Sequence, residues 1–131
     1  MDKFNITEFQ GTDKLPYLKF DEDEGLLEIR GKSICTDILD FFKPLIDKIT
    51  EYVKEPRDIK LIIALEYFNT RTSKLLYNLL KIMESVTEKG FTFIVDWHYD
   101  DEEIFEAGKD YESIIRKAKF NFINEIDDED S

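Results

Sequence analysis

The chain has 131 residues, enough for one core that buries about two thirds of the surface its unfolded form would expose, and too few for two such cores. Hydrophobic residues make up 42% and aromatics 14%, so an interior can pack although 37% of the chain is charged; this excludes the disordered class. Acidic residues outnumber basic ones by 30 to 18, a formal charge of -12, and no Lys/Arg-rich stretch interrupts that field, which argues against nucleic acid and anionic membranes as partners.

At the N-terminus, Met1-Asp2-Lys3-Phe4-Asn5 has no basic segment ahead of an apolar one, and no apolar run approaches membrane-spanning length. Cys35 is the single cysteine, so an intrachain disulfide is excluded. The expectation is a cytoplasmic protein without membrane insertion that folds without disulfide, metal or cofactor.

The first apolar run, Leu15 to Phe20, is followed by Asp21-Glu22-Asp23-Glu24-Gly25 and by Leu26 to Gly31, which predicts an antiparallel hairpin with an acidic turn. Calcium ligation needs oxygens at alternating positions of a longer loop, so the turn is read as a turn. From Thr36 to Val53, Leu39, Phe42, Leu45, Ile46, Ile49 and Val53 recur at three- and four-residue steps, an amphipathic helix with Pro44 inside it. Glu55-Pro56 marks its end.

Ile59 to Leu65 is a nearly continuous apolar run, too short for a helix, which predicts a central strand buried on both faces. Leu75, Leu76, Leu79, Leu80, Met83 and Val86 then trace one helical stripe that ends at Lys89-Gly90. Phe91 to Trp97 reads as the next strand, and strand, helix, strand in succession implies a right-handed parallel crossover. Ile104, Tyr111, Ile114, Ile115 and Ala118 suggest a third helix in which Gly108 is unfavourable, and Phe120 to Asn124 an edge strand. The predicted order is β-β-α-β-α-β-α-β: one α/β domain over residues 1–126, a mixed sheet with an N-terminal hairpin and parallel crossovers, and an acidic solvated tail at 127–131.

Classical catalytic signatures are weak. The single histidine, His98, is far along the chain from Cys35, and both fit structural roles better than a nucleophile-base pair. The scattered glycines give no phosphate loop, and no Cys/His spacing suits zinc. Asp100-Asp101-Glu102-Glu103 fits the first turn of a helix, where the dipole favours acids. A small enzyme with an acidic pocket around Asp96, His98, Asp100 and Asp101, at the C-terminal end of a strand, is the alternative reading.

The segment Glu66 to Lys74 stands apart, because it joins the central strand to the second helix and is rich in hydroxyls. A helix start leaves backbone N–H groups without intrahelical partners and carries the positive end of the helix dipole, so Asn69, Thr70 or Thr72 can cap it and a phosphate on Thr70, Thr72 or Ser73 would be stabilised there.

With Leu65-Glu66-Tyr67-Phe68-Asn69-Thr70 followed by Ser73-Lys74, and Trp97-His98-Tyr99-Asp100-Asp101 after the next strand, the chain resembles the SiaC family of bacterial regulatory phosphoproteins. The likeness spans most of the chain, including Asp40 to Asp47 with its internal proline and the closing Phe120-Asn121-Phe122-Ile123. It implies a STAS-like fold, related to anti-sigma-factor antagonists, and a binding module rather than an enzyme, active in c-di-GMP signalling. It further implies a threonine, here Thr70, phosphorylated by a dedicated protein kinase and dephosphorylated by a PP2C-type phosphatase. The unphosphorylated form would engage an effector such as a diguanylate cyclase. Arg71 stands where a small hydroxyl residue often follows the phosphoacceptor, so Thr72 and Ser73 stay open as alternatives. Asn69, Arg71, Thr72, Ser73, Lys74 and Asn78 are the expected partner-binding residues.

Overall fold

A computed structural model describes residues 6–125; the expected acidic tail at 127–131 lies outside them. Six strands form one sheet in sequence order: β1 (Ile6–Phe9), β2 (Tyr17–Asp21), β3 (Leu26–Ser33), β4 (Ile59–Phe68), β5 (Phe93–Tyr99) and β6 (Lys119–Asn124). Pairing is antiparallel from β1 to β3 and parallel from β3 to β6, with α1 (Ile38–Tyr52), α2 (Thr70–Glu84) and α3 (Glu102–Ile114) as the three crossovers. The mixed sheet, the hairpin and the parallel crossovers are as the sequence predicts. β1 is an addition, a four-residue edge strand beside β2 held partly by a 2.7 Å hydrogen bond from Tyr17 Oη to Glu8.

When each parallel strand lies next to its predecessor and every crossover has the usual hand, all the helices fall on one face of the sheet. Burial follows that rule. Along β4, Ile59, Leu61, Ile63 and Leu65 are buried beneath the helices, whereas Lys60, Ile62 and Ala64 face the other way and are only partly covered. The expectation that this strand is buried on both faces is therefore corrected: a polar ladder, not a second helical layer, shields its open side. Asp96 on β5 accepts hydrogen bonds from Asn121 at 2.9 Å and Lys60 at 3.0 Å.

The core between sheet and helices gathers Ile38, Phe42 and Ile49 from α1, Leu75, Leu76, Leu79 and Leu80 from α2, and Ile104 and Tyr111 from α3. Leu39 and Ile114, which the helical periodicity counts inward, are instead 55% and 47% exposed. α1 runs unbroken through Pro44. α2 passes into a 3-10 turn, Ser85–Lys89, that Gly90 closes with φ of 91°, the left-handed conformation glycine takes without strain. The acidic turn is tied down by the Asp21 carboxylate, which accepts from the amides of Asp23 and Glu24, and by Tyr52 Oη, which donates to the Glu22 carbonyl at 2.6 Å. Among the described residues no helix is long and apolar enough to cross a membrane.

Candidate functional site

The junction between β4 and α2 is tighter than its sequence suggests. Glu66, Tyr67 and Phe68 still belong to the strand and Thr70 is already helical, so Asn69 alone makes the turn. Asn69 is the helix cap: its extended backbone (φ -88°, ψ 177°) lets Oδ1 accept from the Thr72 amide at 2.9 Å. Its own amide donates to the Ser33 carbonyl at 3.1 Å, which fixes the helix start against the end of β3. Asn69→Ala should therefore cost about 1 kcal/mol of stability, readable as a lower urea midpoint with unchanged slope; a shift no larger than that of an exposed surface change would contradict the cap.

The hydroxyls of the cluster have unlike fates. Thr72 is fully buried: its Oγ1 donates to the Ser33 carbonyl at 3.0 Å and lies 2.8 Å from Ser33 Oγ, which can donate in return. Thr72 is thus closed to solvent in this fold, at odds with the sequence reading that left it open as a phosphoacceptor and a partner contact. Ser73 is half-buried, its carbonyl accepting a 2.7 Å bond from Tyr111 Oη of α3. Thr70, by contrast, is exposed on the first turn, with Arg71, Lys74 and Asn78 also exposed.

Charge at this helix start differs from that elsewhere in an acidic chain. The first turn of α2 carries no acid, whereas α1 has Asp40 and α3 has Glu102 and Glu103. Arg71 Nη1 donates to the Thr36 carbonyl at 2.8 Å, which holds the guanidinium over the β3–α1 connection. Lys74 follows Thr70 by one helical turn, so the two share a face. Next to them Tyr67 is 61% exposed, a large aromatic that the fold leaves outside the core.

The Tyr111 hydroxyl, which ties α3 to this turn, is pushed up to about 12, chiefly by burial and further by Asp110, against the opposing pull of its bond to Ser73. A raised folded-state value means that the contribution is complete below the unfolded value of about 10 and is lost as pH rises toward 12. Tyr17 is pushed up to about 12 as well, chiefly by its hydrogen bond to Glu8, so alkaline titration should show late tyrosinate steps of which Tyr111→Phe removes one; an unchanged tyrosinate curve in that variant would count against it.

The acidic residues of the enzyme reading are not assembled into one pocket. Asp101 caps α3, its Oδ1 accepting from the Ile104 amide at 2.9 Å, as the helix-start reading of these acids predicts. Burial alone would raise the Asp96 carboxyl, but the bonds from Asn121 and Lys60 outweigh it and hold the group below its ordinary value. His98 Nδ1 lies 2.9 Å from Glu125 Oε2, and His98 and Asp100 border a shallow depression at the C-terminal end of the strands that neither Asp96 nor Asp101 lines. Cys35 packs against the core at the end of β3.

Sequence reasoning missed Tyr67, Tyr77 and Ile114 as surface residues around the α2 start. Tyr77 interrupts the apolar stripe of α2 one step after Leu76, and an aromatic on the polar face of an amphipathic helix is the signal available in the sequence.

A family model described as SiaC family regulatory phosphoprotein matches residues 9–125. An uncharacterized protein of Pseudomonas aeruginosa (strain UCBPP-PA14) is 26% identical over 104 residues, spanning 77% of this chain and 82% of that protein. The fold is similar to that of apo-SiaC from Pseudomonas aeruginosa, with a TM-score of 0.79 at 23% identity over 91% of this chain and 97% of the other. It also matches a chain in the crystal structure of the diguanylate cyclase SiaD in complex with its activator SiaC, from the same organism. There the TM-score is 0.83 at 23% identity, over 90% of this chain and 98% of that one.

Proposed function

Because the chain belongs to the SiaC family of regulatory phosphoproteins, we propose that it is a non-catalytic cytoplasmic signalling domain whose partner binding is switched by reversible phosphorylation of Thr70. A dedicated protein kinase adds the phosphate and a PP2C-type phosphatase removes it. The unphosphorylated form engages an effector, and since SiaC of Pseudomonas aeruginosa is an activator of the diguanylate cyclase SiaD, a diguanylate cyclase is the leading candidate.

One observation carries the assignment to Thr70: of the three hydroxyl residues at the α2 start, Thr72 is sealed between β3 and α2, Ser73 is partly covered, and Thr70 is exposed. A phosphate on Thr70 adds about -1.5 to -2 charge on a helix terminus that can stabilise it, beside Arg71 and Lys74. The change is local. It rewrites the charge of a surface that includes exposed Tyr67 without requiring the domain to refold.

The test combines phosphosite mapping with affinity. Incubation with the kinase and ATP should give a phosphate on Thr70 in peptide mass spectrometry, and the modified protein should bind the cyclase at least about tenfold more weakly, or 1.4 kcal/mol. Phosphate found only on residues other than Thr70, or equal affinity of the two forms, would sink the proposal.

A further inference from the structure

A groove runs between α2 and α3 beside the Thr70 site. Phe68 and Tyr111 line it together with Tyr77 of α2 and Ala107 and Ile114 of α3, and its surface is mainly apolar. Tyr77 is 40% exposed and Ile114 47%, so two large apolar side chains meet solvent where core residues would be covered. The bond from Tyr111 Oη to the Ser73 carbonyl spans from one helix to the other, so the groove is already formed in the unbound chain.

The groove's walls decide what shape fits. Ala107, Tyr111 and Ile114 follow one another at four- and three-residue steps along α3, and Ser73 and Tyr77 at a four-residue step along α2, so each wall is a helical ridge that accepts the ridge of a third helix. An extended segment is unsuited, because the sheet edges are β1 and β6 and neither lines the groove. Such a segment would bury main-chain groups without partners, whereas a helix satisfies its own. Charge then sets the orientation: Lys74 stands on the α2 wall and Asp110 on the α3 wall.

We propose that the α2–α3 groove is a docking site for one amphipathic helix of a partner protein. That helix has an apolar ridge, with acidic residues on the flank facing Lys74 and basic residues on the flank facing Asp110. This deepens the Thr70 reading and rests on it for the partner being the regulated effector. It also gives that switch a route: Lys74 lies one turn from Thr70 on the same face, so a phosphate there competes for the cation that the acidic flank needs.

A phage-displayed library of 20-residue helices, with a fixed leucine ridge and randomised flanks, should be panned on the unphosphorylated full chain. Enriched peptides are expected to carry acids on one flank and bases on the other, and to lose at least about tenfold in affinity on Ile114→Asp or Lys74→Glu. Because Ile114 and Lys74 are exposed, circular dichroism should show both variants folded. The double variant Lys74→Glu with Asp110→Lys should prefer peptides with the flanks exchanged. No enrichment, or peptides that bind both single variants as well as the parent, would overturn the proposal. So would a concentration-dependent dimer dispersed by Ile114→Asp, which would give the groove to a second copy. The panning uses no kinase, so its failure leaves phosphate mapping at Thr70 standing, and a failed mapping leaves a positive panning standing.

Discussion

Replacing Gly108 with alanine is expected to destabilise the domain by about 1–3 kcal/mol, although the same change in an exposed helix interior would stabilise it by up to about 1 kcal/mol. A Cβ at this position would lie 2.6 Å from Trp97 Nε1, 2.7 Å from Trp97 Cδ1 and 2.8 Å from Phe122 Cε1. Trp97 cannot retreat. It is fully buried, its Nε1 donates to the Ile104 carbonyl at 2.8 Å, and its ring meets Phe68 and Tyr111 at centroid distances of 6.3 and 5.6 Å. Any accommodation must therefore push α3 off the sheet or stretch the indole hydrogen bond, and Gly108→Val should cost more than Gly108→Ala. Urea unfolding followed by tryptophan fluorescence reads both effects through the one tryptophan, Trp97. An alanine variant with an unchanged or higher midpoint would show that the helix can shift without loss. Since Phe68 and Tyr111 also line the α2–α3 groove, a destabilised Trp97 should weaken helix docking as well.

Gly108 also shows where the sequence is readable and where it stops. Hydrophobic periodicity located all three helices and five of the six strands, because each element's burial is written in its own repeat. In α3 the glycine looks like a defect; the reason for it, an indole ring 11 positions earlier, exists only once α3 lies on β5. The same limit explains β4. Ile62 and Ala64 make its run continuous and suggest two covered faces, yet their side of the sheet is shielded by Lys60, Asp96 and Asn121, contacts set by strand order. β1 escaped notice because four residues give too short a pattern, although Gly11-Thr12-Asp13 and Pro16 are turn signals ahead of β2.

At the site, the cap and the helix start were legible as a class, since Asn and Thr favour such positions and the two flanking elements were clear. Which hydroxyl faces solvent was not. Thr70 and Thr72 are alike in sequence, and their separation depends on Ser33, 39 positions from Thr72, being brought against α2 by the parallel pairing of β3 with β4. Asn69 takes the capping role, so Thr70 is left without the structural task that capping would have given it.

That division gives the second prediction, in which stability and modification respond in opposite ways. Thr72→Val should cost about 1–3 kcal/mol, because it leaves the buried Ser33 hydroxyl without its acceptor, and should still be phosphorylated to full extent. Thr70→Ala should abolish phosphorylation while shifting stability by no more than about 0.5 kcal/mol, since the residue is exposed and is not the cap. The buried pair can be checked separately. Adding Ser33→Ala to Thr72→Val removes the orphaned hydroxyl, and the Ser33 carbonyl keeps its 3.1 Å bond from the Asn69 amide, so the double variant should lose less than the sum of the singles. Kinase assays and urea melts on the parent, the three single variants and the double variant therefore separate a signalling threonine from a structural one two residues away. A phosphate mapped to Thr72 in the parent protein would require both of its hydrogen bonds to break and a fully buried side chain to leave the β3–α2 contact. Finding it there, with Thr70 unmodified, would overturn the assignment of the switch to Thr70 and make local opening of α2 the controlling step.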